Sequence, residues 1–293
     1  MRAAILLLSL LAGTACHNGG DDYGPPAHVT GLRVLAIKAE PPEIAAGQSS
    51  VVTALAVDTQ GRSLTASWTR CLGAPDGGVT LIVPARVSVL PDATDDLDCF
   101  NVDSAAYLQP LGRGLTVDVI MPDVPARALG APDRTGGVYL PLRTDVSAGS
   151  DSITATYHLR LATESPPNRN PRITGVVRVT AEASDGGVTA ATPLDDAHPV
   201  VVHAGDSLTL RLTVADGSAE TYSANGQSLT EYLVASWFAT AGTWMKDVRP
   251  PDADAVLLLD QLLPPSGSAV AIWAVLRDGR GGVDYVERKV RFQ

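Results

Sequence analysis

Past residue 30 the chain alternates apolar and polar residues with a period of two, and stretches of helical period are scarce. Leu208, Leu210, Leu212 and Val214 alternate with Thr209, Arg211 and Thr213. Ile153, Ala155, Tyr157, Leu159 and Leu161 alternate with Thr154, Thr156, His158 and Arg160. Each run offers one face to a core and one to water, as antiparallel strands do. Turn signals punctuate the runs at Asp76-Gly77-Gly78, Asp185-Gly186-Gly187 and Asp278-Gly279-Arg280-Gly281-Gly282. Many short strands spaced in this way predict an all-β fold built of antiparallel sandwiches.

The pattern occurs twice. Ala46-Gly47-Gln48-Ser49, followed by a strand ending at Asp58, returns 158 residues later as Ala204-Gly205-Asp206-Ser207 and a strand ending at Asp216. Ala66-Ser67-Trp68 returns 169 residues later as Ala235-Ser236-Trp237, so the second copy carries an insertion of 11 residues, placed within 217–227. Residues 32–37 (LRVLAI) open the first copy and 173–179 (ITGVVRV) the second, while 270–276 (VAIWAVL) and 283–292 (VDYVERKVRF) form a closing hairpin. In that hairpin Val286, Val290 and Phe292 are expected to face inward. Trp68, Trp237 and Trp273 are the expected core anchors, since each indole buries about 150–250 Å². The Pro-rich stretch 165–172 reads as a stiff linker. The expected organisation is a signal peptide (1–15), a flexible tether (16–30), a first sandwich (31–164), the linker (165–172) and a second sandwich (173–293).

A repeated turn, amphipathic strand, loop and Trp-bearing strand resembles the B and C strands of immunoglobulin-like and PKD-like modules. The N-terminus carries a second resemblance. Met1-Arg2 is a minimal positive region, residues 3–12 (AAILLLSLLA) are apolar, and Gly13-Thr14-Ala15 brings small residues before Cys16. This is a secretory signal; a spanning helix needs about 20 apolar residues, and no later segment has them. The run 11–16 (LAGTAC) resembles a bacterial lipoprotein signal, although Gly13 stands where Leu is commonest. The resemblance implies cleavage before Cys16 and acylation of that residue, palmitate included. Gly13 and Ala15 also suit ordinary signal peptidase. His17 stands where an Asp would resemble an inner-membrane retention signal, and by that analogy the expected location is the outer membrane. Residues 17–27 (HNGGDDYGPPA) have the composition of a flexible tether. Together these features resemble Gram-negative envelope lipoproteins with tandem immunoglobulin-like or PKD-like domains. Such modules serve as spacers, adhesion units or assembly subunits, and fold alone does not choose among them.

Composition narrows the classes. Apolar residues make up 45% and charged residues 18%, enough for a packed core, while Gly (27) and Pro (21) argue against a helical bundle. The net charge of −10, with no basic cluster, excludes phosphate-backbone binding and so nucleic acid as a partner. The chain has 3 cysteines. With Cys16 acylated, Cys71 and Cys99 remain as a pair in an oxidising compartment, and a disulfide closing the loop between them stabilises by roughly 3–4 kcal/mol. Cys71 follows Trp68 by three positions and so points to the other face of a strand, which sets it apart from the cross-sheet Cys–Trp–Cys arrangement of antibody domains.

Sites for chemistry are sparse. The 5 histidines are His17, His28, His158, His198 and His203, and they show no paired metal-binding spacing. There is no nucleophile-elbow or phosphate-loop motif. Asp92, Asp95, Asp96 and Asp98 form the best candidate calcium site, with Asp195-Asp196 and Asp252/Asp254 as weaker versions; a solvated acidic loop is the plainer reading. Residues 252–263, bracketed by Pro pairs, read as a buried edge strand, a short helix or a partner-binding lip, with core packing preferred. The expectation is a non-enzymatic, lipid-anchored envelope protein that acts as a binding, adhesion or scaffolding module. It would meet the membrane through its lipid and also an envelope protein or polysaccharide not identifiable from sequence. The alternatives are a polysaccharide-binding accessory protein with Trp244 on an exposed ligand face, or an enzyme with a cryptic loop site.

Overall fold

The computed structural model describes residues 27–71, 108–123, 132–133, 135–163, 166–181, 189–195, 200–224 and 226–293. All regular structure among them is β. The N-terminal half contains β1 (Leu32–Glu40), β2 (Glu43–Ile44), β3 (Ser49–Asp58), β4 (Leu64–Cys71), β5 (Leu108–Arg113), β6 (Thr116–Ile120), β7 (Val138–Ala148) and β8 (Asp151–Leu161). A three-stranded sheet, β1-β3-β6, faces a five-stranded sheet, β2-β8-β7-β4-β5. Between them lies a core that includes Ile37, Val52, Trp68, Val119, Leu140, Leu142 and Leu159. The first strand changes sheet: β1 pairs antiparallel with β3, and two residues later β2 pairs parallel with β8.

The C-terminal half repeats this plan with β9 (Ile173–Ala181), β10 (Thr189–Pro193), β11 (Val201–Val202), β12 (Ser207–Val214), β13 (Thr221–Ala224), β14 (Gln227–Thr230), β15 (Val234–Ala239), β16 (Thr243–Trp244), β17 (Val248–Arg249), β18 (Ala255–Leu258), β19 (Ala269–Arg277) and β20 (Val283–Phe292). Its two sandwich sheets are β10-β9-β12-β18-β16 and β11-β20-β19-β15-β17, around a core that includes Leu208, Leu210, Trp237, Leu257 and Ile272. The duplication is visible bond by bond. Gly47 and Gly205 both have positive φ (76° and 86°), which suits glycine. Gly47 N–H donates to the Met121 carbonyl at 2.9 Å, and Gly205 N–H to the Leu259 carbonyl at 2.7 Å. β11 pairs parallel with β20 as β2 does with β8, and Trp68 and Trp237 are each 1% exposed on matching strands.

The two sandwiches lie side by side. A third apolar cluster fills the space between them: Val29, Leu35 and Ala36 from one side meet Trp273, Val275 and Val283 from the other. A β-bulge makes this possible. Pairing of β1 with β3 skips Leu35, between Val34 opposite Ala56 and Ala36 opposite Leu55. The extra residue puts Leu35 and Ala36 on the second sandwich, while Ile37 and Ala39 return to the first core. The carbonyl of bulged Leu35 accepts a 3.1 Å bond from Arg277 Nη2. Burial lowers the pKa of that guanidinium. Trp273 therefore anchors the space between the sandwiches and not the interior of the second one, a correction to its expected place. The matching ladder positions of the first sandwich are polar: Ser67 faces Asp145 where Ser236 faces Val275, and Thr69 faces Arg143 where Phe238 faces Trp273.

At the N-terminal end a main-chain bridge holds the contact. Val29 N–H donates to Ala239 O at 2.8 Å, and Ala239 N–H donates to Ala27 O at 2.9 Å. Residues 27–29, expected as the end of a free tether, thus lie along the second sandwich, with Ala27 in its core. Residues 168–171, expected as linker, are equally built in. Asn170 donates from Nδ2 to the Ala39 carbonyl at 2.7 Å and accepts the Val283 N–H at 2.8 Å. Trp273→Ala, although on an outer sheet face, is expected to cost about 3–5 kcal/mol, as a core truncation does. Urea unfolding of the variant measures this, and a loss under about 1 kcal/mol contradicts the buried contact.

Candidate functional site

The densest polar cluster among the described residues sits at the other end of the same contact. It starts from the turn between β19 and β20, where Asp278 Oδ1 accepts the N–H groups of Arg280 (2.7 Å) and Gly282 (2.9 Å). An Asp followed by glycines folds in this way because its side chain replaces a backbone partner. Gly282 is required: a Cβ there would lie 1.9 Å from the Asp278 carboxylate. The turn aims Arg280, 4% exposed, into the gap between the sandwiches.

Arg280 meets groups from three segments. Nη2 donates to Glu43 Oε2 of β2 at 3.2 Å, and Nη1 donates to Glu231 Oε1 at 3.0 Å. Its guanidinium lies 4.2 Å from the ring centroid of Tyr222. Glu220 Oε2 is 4.0 Å from Nη1. Glu43 also accepts the Asn168 N–H at 2.7 Å, and its other oxygen faces Arg160 Nε at 3.4 Å. Asn168 Nδ2 donates to Asp278 Oδ2 at 3.0 Å, and Tyr157 OH donates to the Gly281 carbonyl at 3.0 Å. Arg160 carries the network outward through Tyr139 (3.1 Å), whose hydroxyl donates to Asp133 at 2.8 Å.

Carboxylates outnumber guanidiniums here. Four carboxylates (Glu43, Glu220, Glu231 and Asp278) surround Arg160 and Arg280, with the exposed Arg169 bonded to Glu220 at 2.6 Å. Burial pushes the Glu231 carboxyl up to about 7, with Asp278 adding to the rise against the Glu220 N–H and Arg280. Burial, with Asp278 and Tyr139, also raises the Tyr157 hydroxyl. At Asp133 burial works against ionisation, but bonds from Thr135, Gly137 and Tyr139 outweigh it and hold the carboxyl low. Glu220, Tyr222 and Glu231 all flank or belong to the β13–β14 hairpin, which is where the 11-residue insertion falls.

Sequence-predicted sites fall elsewhere. Cys16, Cys99, Asp92, Asp95, Asp96, Asp98 and Asp196 lie outside the described residues; Cys71 is disulfide-bonded. Among the described residues no three His, Cys, Asp or Glu side chains are grouped to hold a metal. Asp254 instead pairs with Arg211 at 2.7 Å. Trp244, expected on an exposed ligand face, is 9% exposed and packs 5.4 Å from Trp237; this is a correction, because pairing of β16 with β18 turns the indole into the core. Residues Ala255–Leu258 form a strand, leaving Leu262 and Leu263 exposed beyond it. His28 Nε2 lies 3.2 Å from the Thr240 carbonyl, His158 is exposed and stacks obliquely near Tyr139, and His203 faces Asp206 at 3.4 Å. Sequence reading missed the Arg280 cluster. The signal available was the insertion in an otherwise constant repeat.

Arg280→Ala strands Glu43 and Glu231 in a dry setting and is expected to destabilise the chain by about 3–5 kcal/mol in urea titration, well above a surface Arg→Ala change. Glu231 gives a pH dependence. Its pKa is raised from 4.5 to about 7 on folding. The folded chain therefore binds more protons than the unfolded one between those values, and stability falls as pH rises through that window. Thermal melts of wild type from pH 4.5 to 7.5 are expected to show this fall, and Glu231→Gln is expected to flatten it. An unchanged profile in the variant contradicts the assignment.

No known protein family matches the chain, and no curated protein does either. Solved structures it resembles include the ectodomain of human desmocollin-1, at 13% identity and TM-score 0.21 over 87% of this chain and 36% of that one. Another is the three N-terminal domains of the highly immunogenic outer capsid protein Hoc of bacteriophage RB49, at 10% identity and TM-score 0.21 over 89% and 99%. The chain spans about a third of the desmocollin ectodomain, and likeness at this level adds nothing to the sandwich architecture already described.

Proposed function

We propose that this chain is a non-catalytic, lipid-anchored envelope protein whose paired sandwiches act as one binding or scaffolding unit. The observation that carries the reading is the clamped contact between the sandwiches, with a main-chain bridge at one end, an apolar centre and a buried ionic cluster at the other. A chain of freely jointed modules presents surfaces whose spacing varies. Two modules fixed at three places present theirs in one relative geometry, as a scaffold or adhesion unit requires. The charged residues with the largest burial serve this contact: Glu43, Arg160, Asp278 and Arg280 are each under 5% exposed and bonded to one another or to the segment between the sandwiches. The anchoring half of the proposal rests on Cys16 and the signal before it.

Mass spectrometry of the N-terminal peptide, taken from protein extracted from native membranes, tests the anchor. The expected peptide begins at Cys16 with acyl chains attached. A peptide with unmodified Cys16 contradicts the anchor. For the non-catalytic half, turnover by the purified chain in a broad hydrolase and transferase substrate panel contradicts the reading; the expected outcome is none.

A further inference from the structure

We propose that the loop Leu262-Leu263-Pro264 is the surface on which the folded body rests against the lipid bilayer, an inference that rests on acylation of Cys16. Leu262 and Leu263 are 46% and 39% exposed. With His28 and Val29 they line one open cleft of about 360 Å³. The residue that would bear the lipid is therefore a short stretch of chain from His28, which lines the same cleft as this loop. Ten residues, and so eleven residue-to-residue steps, separate Cys16 from Ala27. At about 3.3–3.6 Å per residue they reach about 40 Å at most. Ala27 itself is held against Ala239 by the bridge, so the chain enters the body beside the cleft.

The loop is built and not a loose excursion. Leu262 has φ 54°, in the left-handed region that a branched side chain seldom occupies. Its carbonyl accepts the Gly242 N–H at 3.3 Å. The loop thus holds two adjacent leucines in water, the first of them in a backbone geometry unfavourable to the residue type. The immediate neighbours are Asp260, Gln261, Pro264 and Pro265, with no Lys or Arg, so the contact is apolar and owes little to lipid charge. Two leucines alone bind bilayers weakly. Tethered by acyl chains within 40 Å or so, they act at high effective concentration and set orientation without having to supply affinity. The exposed Ile120 lies far off: it pairs with Ser49, at the opposite end of β3 from Thr59 of the cleft. Ten strand residues put that distance at roughly 33 Å.

The test uses full-length acylated protein in vesicles of neutral phosphatidylcholine and of anionic mixtures. An environment-sensitive fluorophore is attached at Gln261→Cys, with Ile120→Cys as the distant reporter, and quenching by spin-labelled lipid is read. The expected result is at least twofold quenching at position 261 in both vesicle types and little at 120. Leu262→Ser/Leu263→Ser is expected to abolish quenching at 261 while flotation with vesicles stays unchanged. Equal quenching in the double variant, or none in either, overturns the loop contact while leaving the anchor intact. Wild-type protein that fails to float overturns the anchor and this inference together.

Discussion

Arg280 sits where water does not reach, and a guanidinium cannot be left unpaired in such a place. Its partners come from both sandwiches and depend on the segment between them: Glu43 from the first, Glu231 and the Tyr222 ring from the second, with Asn168 bonding both Glu43 and Asp278. If the sandwiches part, Arg280 keeps Glu231 and the Tyr222 ring but loses Glu43, whose buried carboxylate is left with Arg160 at 3.4 Å. Buried ion pairs of this kind add little net stability compared with an apolar filling, yet they penalise every alternative docking heavily. The apolar cluster around Leu35 and Trp273 supplies attraction, and the ionic cluster selects one geometry.

The two copies show how this arose on a repeated plan. Strand order, the parallel pairing of the split first strand, the positive-φ glycines and the buried Trp are common to both. The copies differ where they meet. Trp273 and Val275 occupy ladder positions that hold Arg143 and Asp145 in the first copy, and there Arg143 pairs with Asp145 at 2.9 Å. The β13–β14 hairpin has no counterpart after β3, where the chain passes through a short turn in which Asp58 binds Arg62 at 2.8 Å. The outer face of the second copy's β15–β19–β20 sheet is thus apolar at Phe238, Trp273 and Val275, where the first copy's matching ladder positions hold Thr69, Arg143 and Asp145.

Much of the fold was legible because each sandwich has one buried face, and alternation reports this directly. Leu208, Leu210 and Leu212 face inward in β12 as their spacing requires. The contact between the sandwiches was not legible from alternation, because it uses the faces that alternation assigns to water. Arg160 falls on the outward face of β8 and is nonetheless 3% exposed. One run did carry the information: 270–276 is apolar at every position, and in β19 both faces are buried, one against each body. Trp244 misled because a Trp near turn residues resembles an exposed platform, whereas its short strand pairs inward beside Trp237. The Arg280 cluster could be sought only by asking what an insertion in a constant repeat is for.

The central claim is that the sandwiches hold one relative geometry in solution. Spin labels at Ile120→Cys in the first and Met245→Cys in the second, both strongly exposed positions, report it through pulsed electron–electron distance measurement. A single narrow distance distribution is predicted. A broad distribution, of the kind two independently tumbling bodies on a linker give, would contradict the account.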